Sequence, residues 1–159
     1  MIRICFVCLG NICRSPTAEG AMRKLLVDSA LANRIEVDSA GTAAYHAGEP
    51  ADERSSATAL ERGVRLTSIA RQFTTADFDS FDYVIAMDRE NLQTLRTHAP
   101  GPDSAAKVTL LRSYDPDRGD EDDVPDPYYG GPRGFDRVFE ICESGCAGLL
   151  AHIRAEHGL

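Results

Sequence analysis

The sequence predicts an α/β fold, a single domain over residues 1–159 built on a four-stranded parallel sheet with helices on both faces. Two observations carry that prediction. Four short apolar runs alternate along the chain with segments whose apolar residues recur at helical spacing, and unbroken apolar runs are the mark of strands covered on both sides. The chain has 159 residues, 43% of them hydrophobic and 26% charged, enough to bury one core without disulfide or metal staples.

The elements follow in order. Ile2 to Val7 is the first apolar run, and after Gly10 the residues Ala18, Ala21, Met22, Leu25, Leu26 and Ala30 recur as one helix face from Pro16 onward. Ser15 followed by Pro16 reads as a cap and a first-turn proline. Ile35 to Val37 predicts a second strand ending in the polar turn Asp38-Ser39-Ala40-Gly41-Thr42, with a helix over 51–62 beyond it. Tyr83 to Met87 is the third run, followed by a helix over 88–95, and Val108 to Leu111 is the fourth. Residues 115–134 hold four prolines, four glycines and many acids without periodicity, which predicts a long loop, and such loops in compact domains are usually functional or disordered. Helical order returns with the stripe Phe135, Val138, Phe139, Cys142, Leu149, Leu150 and Ile153.

Charge narrows the functions. Lys plus Arg total 17 against 25 Asp plus Glu, a net charge of −8, so general affinity for nucleic acid or an anionic membrane is disfavoured and any anionic ligand must be held locally. The first apolar run is too short for a signal peptide and no stretch approaches the ~18 apolar residues of a membrane span, so a cytoplasmic protein is expected. Five cysteines, an odd number, are expected to be reduced thiols. Cys5, Cys142 and Cys146 fall on apolar stripes and are expected in the core.

Cys8-Leu9-Gly10-Asn11-Ile12-Cys13-Arg14-Ser15 stands where the first strand hands over to the first helix. Ligands of open α/β sheets bind beyond the carboxyl ends of the strands, and a helix N-terminus offers unpaired N–H groups and a partial positive charge. Gly10 and Asn11 tolerate left-handed backbone angles that turn successive N–H groups inward, and Arg14 supplies a planar fork for two oxygens of a phosphate. The loop between first strand and first helix therefore reads as a phosphate loop. Its field favours the thiolate of Cys8, which the Ser15 hydroxyl can also reach.

Val7 to Glu19, VCLGNICRSPTAE, resembles the signature of the low-molecular-weight protein tyrosine phosphatases, and Asp126-Pro127-Tyr128-Tyr129 resembles that family's acid loop. Asp38 to Thr42, Ala70-Arg71-Gln72, Phe81-Asp82-Tyr83 and Met87-Asp88 with Asn91-Leu92 resemble further family segments in order. The resemblance implies a protein tyrosine phosphatase with Cys8 as nucleophile, Arg14 as phosphate clamp and Asp126 as proton donor. It implies that Leu9, Gly10, Asn11, Ile12, Cys13 and Ser15 line the phosphate site, that Ser39 supports the loop through Asn11, and that Cys8 and Cys13 form a reversible protective disulfide. A phosphotyrosine-bearing protein, a tyrosine kinase among the candidates, is the implied partner, with phosphate and other oxyanions as inhibitors.

The chemistry fits those residues. Phenoxide leaves phosphorus far better when protonated, so a general acid is required, and Pro125 and Pro127 stiffen the chain on either side of Asp126. Asp122 and Asp123 are expected to crowd Asp126 and favour its protonated form. Tyr45, Tyr128 and Tyr129 are placed to wall the cleft and stack on a substrate ring. No metal or other cofactor is required. The chain departs from the family pattern at Ser68-Ile69, where many relatives carry a histidine. Two rival readings share the loop: a thiol-dependent arsenate reductase, which needs resolving cysteines where this chain has none between Cys13 and Cys142, and a non-catalytic phosphate-binding module.

Overall fold

Four parallel strands form one sheet in the order β2-β1-β3-β4, with β1 Ile2–Cys8, β2 Ile35–Gly41, β3 Tyr83–Ala86 and β4 Val108–Leu110. The computed structural model describes residues 1–129, 131 and 133–159, the side chain of Tyr129 excepted, so the substrate contact expected of Tyr129 lies outside the described residues. Helices α1 Arg14–Asp28, α2 Glu53–Glu61, α3 Asp77–Ser80, α4 Arg89–His98, α5 Pro102–Ala106 and α6 Gly134–His157 connect and cover the strands. Because strand side chains alternate, Ile4, Phe6 and Cys8 face one core with α1 and α6. Cys5 and Val7 face the other, against Phe78, Phe81 and Leu95. Both faces of β1 are thereby buried, which at ~1.5–3 kcal/mol for each large apolar side chain is the main term holding the sheet together.

The chain leaves β1 for β2 on one side and returns to β3 on the other. The connection therefore reverses direction beside the carboxyl end of β1, which is where open α/β sheets bind ligands.

Several boundaries differ from the sequence reading. β2 runs through Asp38 and Ser39 to Gly41 because those polar side chains point at partners, Asp38 Oδ2 accepting from Arg71 Nη2 at 3.0 Å and Ser39 Oγ donating to Glu19 Oε1 at 2.7 Å. Helix α1 begins at Arg14 with Cys13 at its cap position and no side-chain cap, since the Ser15 hydroxyl is used elsewhere. β3 and β4 each stop one residue early, and Leu111–Tyr114 turns into a 3₁₀ helix. Asp88 lies outside α4 as its cap, accepting from Asn91 N at 2.7 Å, and that helix continues to His98. Asp52 caps the shorter α2. The short helices α3 and α5 have no counterpart in the sequence reading, being too brief to show a period. The described residues among 115–134 are irregular apart from the 3₁₀ turn Pro127–Tyr129 and the first residue of α6. Cys5, Cys142 and Cys146 have no exposed surface. No helix among the described residues is long and apolar enough to cross a membrane.

Candidate active site

The loop from Cys8 to Arg14 wraps around the Cys8 sulfur. Asn11 takes the left-handed conformation at φ 57°, which aims its own N–H at Cys8 Sγ across 3.3 Å. Gly10 does not adopt a positive φ, contrary to expectation; a Cβ there would stand 3.0 Å from His46 Cδ2, so this glycine provides room rather than backbone freedom. Among the described residues, the amides of Gly10, Ile12, Cys13 and Arg14 donate to no protein acceptor. Such a run of free donors at the start of a helix is what an oxyanion requires.

Proton directions in the loop follow from one side chain. The Asn11 amide nitrogen can only donate, and it does so to Ser15 Oγ at 2.8 Å and to Ser39 Oγ at 2.9 Å. Ser15 Oγ, accepting there, lies 3.0 Å from Cys8 Sγ and 3.4 Å from Ala40 O, and against a thiolate its one proton goes to the sulfur. Ser39 Oγ donates onward to Glu19, and Asn11 Oδ1 accepts from Arg71 N at 3.1 Å. Glu19 is almost wholly enclosed; burial raises its carboxyl above the usual range although Ser39 and Arg23 pull the other way. Ser68 Oγ is enclosed without a hydrogen-bond partner among the described residues, so it adds no bond to the loop.

Arg14 is buried and anchored away from the loop by one nitrogen. Its Nη1 donates to Asp88 Oδ2 at 2.6 Å and to Val124 O at 3.1 Å, while Nε and Nη2 have no hydrogen-bond partner among the described residues. Burial opposes its charge, but Cys8 and Asp88 outweigh that and raise its pKa. Asp88 ties the loop to the start of α4, a positioning contact that no spacing in the sequence reveals, since 74 residues separate the partners.

A cleft of about 150 Å³ opens over Cys8, with Leu9, Ile12, Tyr45, Asp126 and Tyr128 among its walls. Gly10, Cys13 and Arg14 also line it, whereas Asn11 and Ser15, expected to do so, are buried and do not. Tyr45 stands at the mouth and is 76% exposed. Asp126 is half-buried, and its Oδ1 accepts from Tyr128 N at 3.0 Å, an Asx turn in which the other oxygen has no partner among the described residues. A groove of about 250 Å³ continues past Asp126 along Asp88 and Asn91. The acids expected to crowd Asp126 are engaged with other groups: Asp122 pairs with Arg118 at 2.8 Å, and Asp123 accepts from Arg89 N at 2.9 Å. His46, which lines the cleft with its Nδ1 2.7 Å from Glu49 Oε2, was not singled out from the sequence.

Cys13 lies beside the cleft. Its thiol is pushed up to about 11 by burial, with Asp52 and Cys8 adding to the effect and a Ser55 hydrogen bond opposing it. All five cysteines are free, and Cys142 and Cys146 are turned against α1, with contacts to Arg14 O at 3.9 Å and Ala18 O at 3.5 Å.

A cysteine cradled at the first strand-to-helix turn, facing a buried arginine and a carboxyl across the cleft, defines a class of α/β protein built to seat an oxyanion against sulfur. Within that class the chain belongs to the low molecular weight phosphotyrosine protein phosphatase family, whose model matches residues 3–158. It is 49% identical over 155 residues to a low molecular weight protein-tyrosine-phosphatase of Streptomyces coelicolor, covering 97% of this chain and 94% of the relative. Among solved structures it is similar to a protein tyrosine phosphatase from Entamoeba histolytica with Hepes in the active site, at a TM-score of 0.92 and 40% identity, covering 99% of each chain. It is equally similar to YfkJ from Bacillus subtilis, at a TM-score of 0.92 and 42% identity, covering 99% of this chain and 97% of that one.

Proposed function

We propose that this chain hydrolyses phosphotyrosine in proteins through a cysteinyl-phosphate intermediate. The observation that carries the reading is the Cys8 sulfur held by Ser15 Oγ at 3.0 Å and Asn11 N at 3.3 Å inside an anion-binding turn, with Asp126 lining the same cleft. The Cys8 thiolate attacks phosphorus, and the bond to the phenolic oxygen breaks as that oxygen takes the proton of Asp126. Arg14 and the loop amides hold the equatorial oxygens while charge develops on them. Water then attacks the phosphoryl group, Asp126 takes its proton, the sulfur–phosphorus bond breaks and free thiolate and phosphate result. Leu9, Tyr45 and Tyr128 supply walls for an aromatic ring, which a flat aryl ester can fill and a short serine ester cannot.

The substrate is a phosphotyrosine protein, a tyrosine kinase among the candidates, and the site of action is the cytoplasm, whose reducing poise keeps Cys8 and Cys13 as thiols. Peroxide would oxidise Cys8 to the sulfenic acid, which Cys13 would condense with to form a disulfide and release water. Assay of an aryl phosphate with wild type, Cys8→Ser and Asp126→Ala tests the reading. An active wild type and two crippled variants support it; turnover by Cys8→Ser at the wild-type rate, or no turnover by any sample, refutes it.

A further inference from the structure

The acid loop is joined to α2 by a cluster of contacts that the chemistry above does not use. Tyr128 Oη donates to Asp52 Oδ2 at 3.0 Å, although 76 residues separate the two. Asp52 is also the cap of α2: its Oδ1 accepts from Arg54 N at 2.8 Å and Ser55 N at 3.4 Å, and its own N–H donates to Ile12 O at 2.8 Å in the phosphate loop. The Arg54 guanidinium lies 4.7 Å from the centre of the Tyr128 ring and 4.7 Å from that of Phe135, between the acid loop and the first turn of α6, with Nη2 3.2 Å from Asp52 Oδ2. A flat cation between two ring faces can hold both at a fixed separation.

The position of Tyr128 matters because its backbone N–H is the donor that fixes Asp126 Oδ1. We propose that Asp52 and Arg54 are positioning residues for the proton donor: through Tyr128 they hold the Asp126 carboxyl over the leaving oxygen, and they touch neither substrate nor the reacting atoms. Charge states agree with the donor directions. Burial, the nearby Cys13 and the bond to Asp52 push the Tyr128 phenol up to about 12, so at neutral pH it keeps the proton it donates. Burial alone would raise the Asp52 carboxyl, but the bonds from Arg54 and Tyr128 hold it below its usual range as an acceptor.

The proposal rests on the phosphatase reading and deepens it, so the experiment must separate the two. General acid catalysis matters only in proportion to how poorly the leaving group departs. The value of kcat/KM, which reports steps through the first irreversible bond cleavage, is measured for phenyl phosphate and for 2,4-dinitrophenyl phosphate, whose leaving anion needs no proton. Arg54→Ala removes the stacked cation from a largely exposed position, and Asp52→Ser keeps an N-cap while losing the oxygen that Tyr128 reaches. Each variant should lose about tenfold on phenyl phosphate, part of the ~10²–10⁴-fold a general acid contributes, and change less than about twofold on the dinitrophenyl ester. The phenyl phosphate pH profile should lose its basic limb in proportion, while vanadate affinity and Cys8 alkylation stay at wild-type values. Equal losses on both esters, or no loss on either, would overturn the latch; a wild type that cleaves neither ester would overturn the phosphatase reading beneath it.

Discussion

Replacing Asn11 by alanine tests whether one amide organises the phosphate loop. The substitution removes two donated bonds, to Ser15 Oγ and Ser39 Oγ, and leaves Arg71 N without its acceptor. An orphaned buried amide costs ~1–3 kcal/mol, the lower end applying to the part-buried Arg71 N, and each lost hydroxyl bond ~0.5–1.5 kcal/mol net. Alanine at φ 57° adds about 1 kcal/mol that asparagine, with its local side-chain bonding, largely escapes. The combined loss is about 4 kcal/mol, and at ~2–4 °C per kcal/mol for a chain of this size the midpoint of thermal unfolding should fall by roughly 10 °C. Asn11→Gly should fall less, because glycine accepts the backbone angle and only the polar bonds are lost. In both variants the Ser15 proton is free to turn toward Ala40 O, 3.4 Å away, so iodoacetate should alkylate Cys8 more slowly at mildly acid pH. Calorimetry and alkylation kinetics read the two effects separately. A midpoint within about 2 °C of wild type together with unchanged alkylation would refute the account of Asn11 as the hub.

Three further outcomes are expected. A Cβ on Gly148 would collide with the carbonyl oxygen of Tyr114, so Gly148→Ala should destabilise the chain by at least ~1–3 kcal/mol in urea unfolding, with aryl phosphate turnover by the folded fraction unchanged. Glu19 has a carboxyl raised above its unfolded value, so it contributes stability that is complete below the unfolded pKa and disappears as pH rises through the folded one; the stability difference between wild type and Glu19→Gln should therefore shift in favour of Gln as pH is raised through the weakly acid range, and a difference flat with pH would contradict the burial argument. Peroxide treatment of wild type should give a Cys8–Cys13 disulfide by peptide mapping and activity restored by thiols, whereas Cys13→Ser should pass to irreversible sulfinic acid and stay inactive after reduction.

The sheet, its four strands and the long helix α6 were legible because their apolar residues keep a period over many positions. What escaped the reading was set by contacts distant in sequence. β2 continues through Asp38 and Ser39 because Arg71 and Glu19 await them, and a polar pair at a strand end looks like a turn until those partners are known. Ser15 carries a cap signature with Pro16 after it, yet its hydroxyl serves Cys8, so the site overrides the local helix preference. Cys8, Arg14 and Asp126 were singled out from the sequence, the first two by loop chemistry and the third by resemblance, and all three line one cleft. Asp88 entered only as part of a resembling segment, without a role, and Asp52 and Arg54 gave no signal, since an acid and an arginine become informative only once Arg14 and Tyr128 are seen beside them.

The attachments of the two halves of the cleft differ in kind. The anion cradle is bonded to β2 through Ser39, to the 66–73 segment through Arg71, and through Arg14 to Asp88 and Val124, whereas the carboxyl opposite hangs from its own short turn and the contacts of Tyr128. On the proposed mechanism a tetrahedral oxyanion would meet the first half alone, and an ester undergoing cleavage would meet both. On that reading, substitutions in this chain that loosen the contacts of Tyr128 change turnover and leaving-group preference and leave oxyanion affinity unchanged.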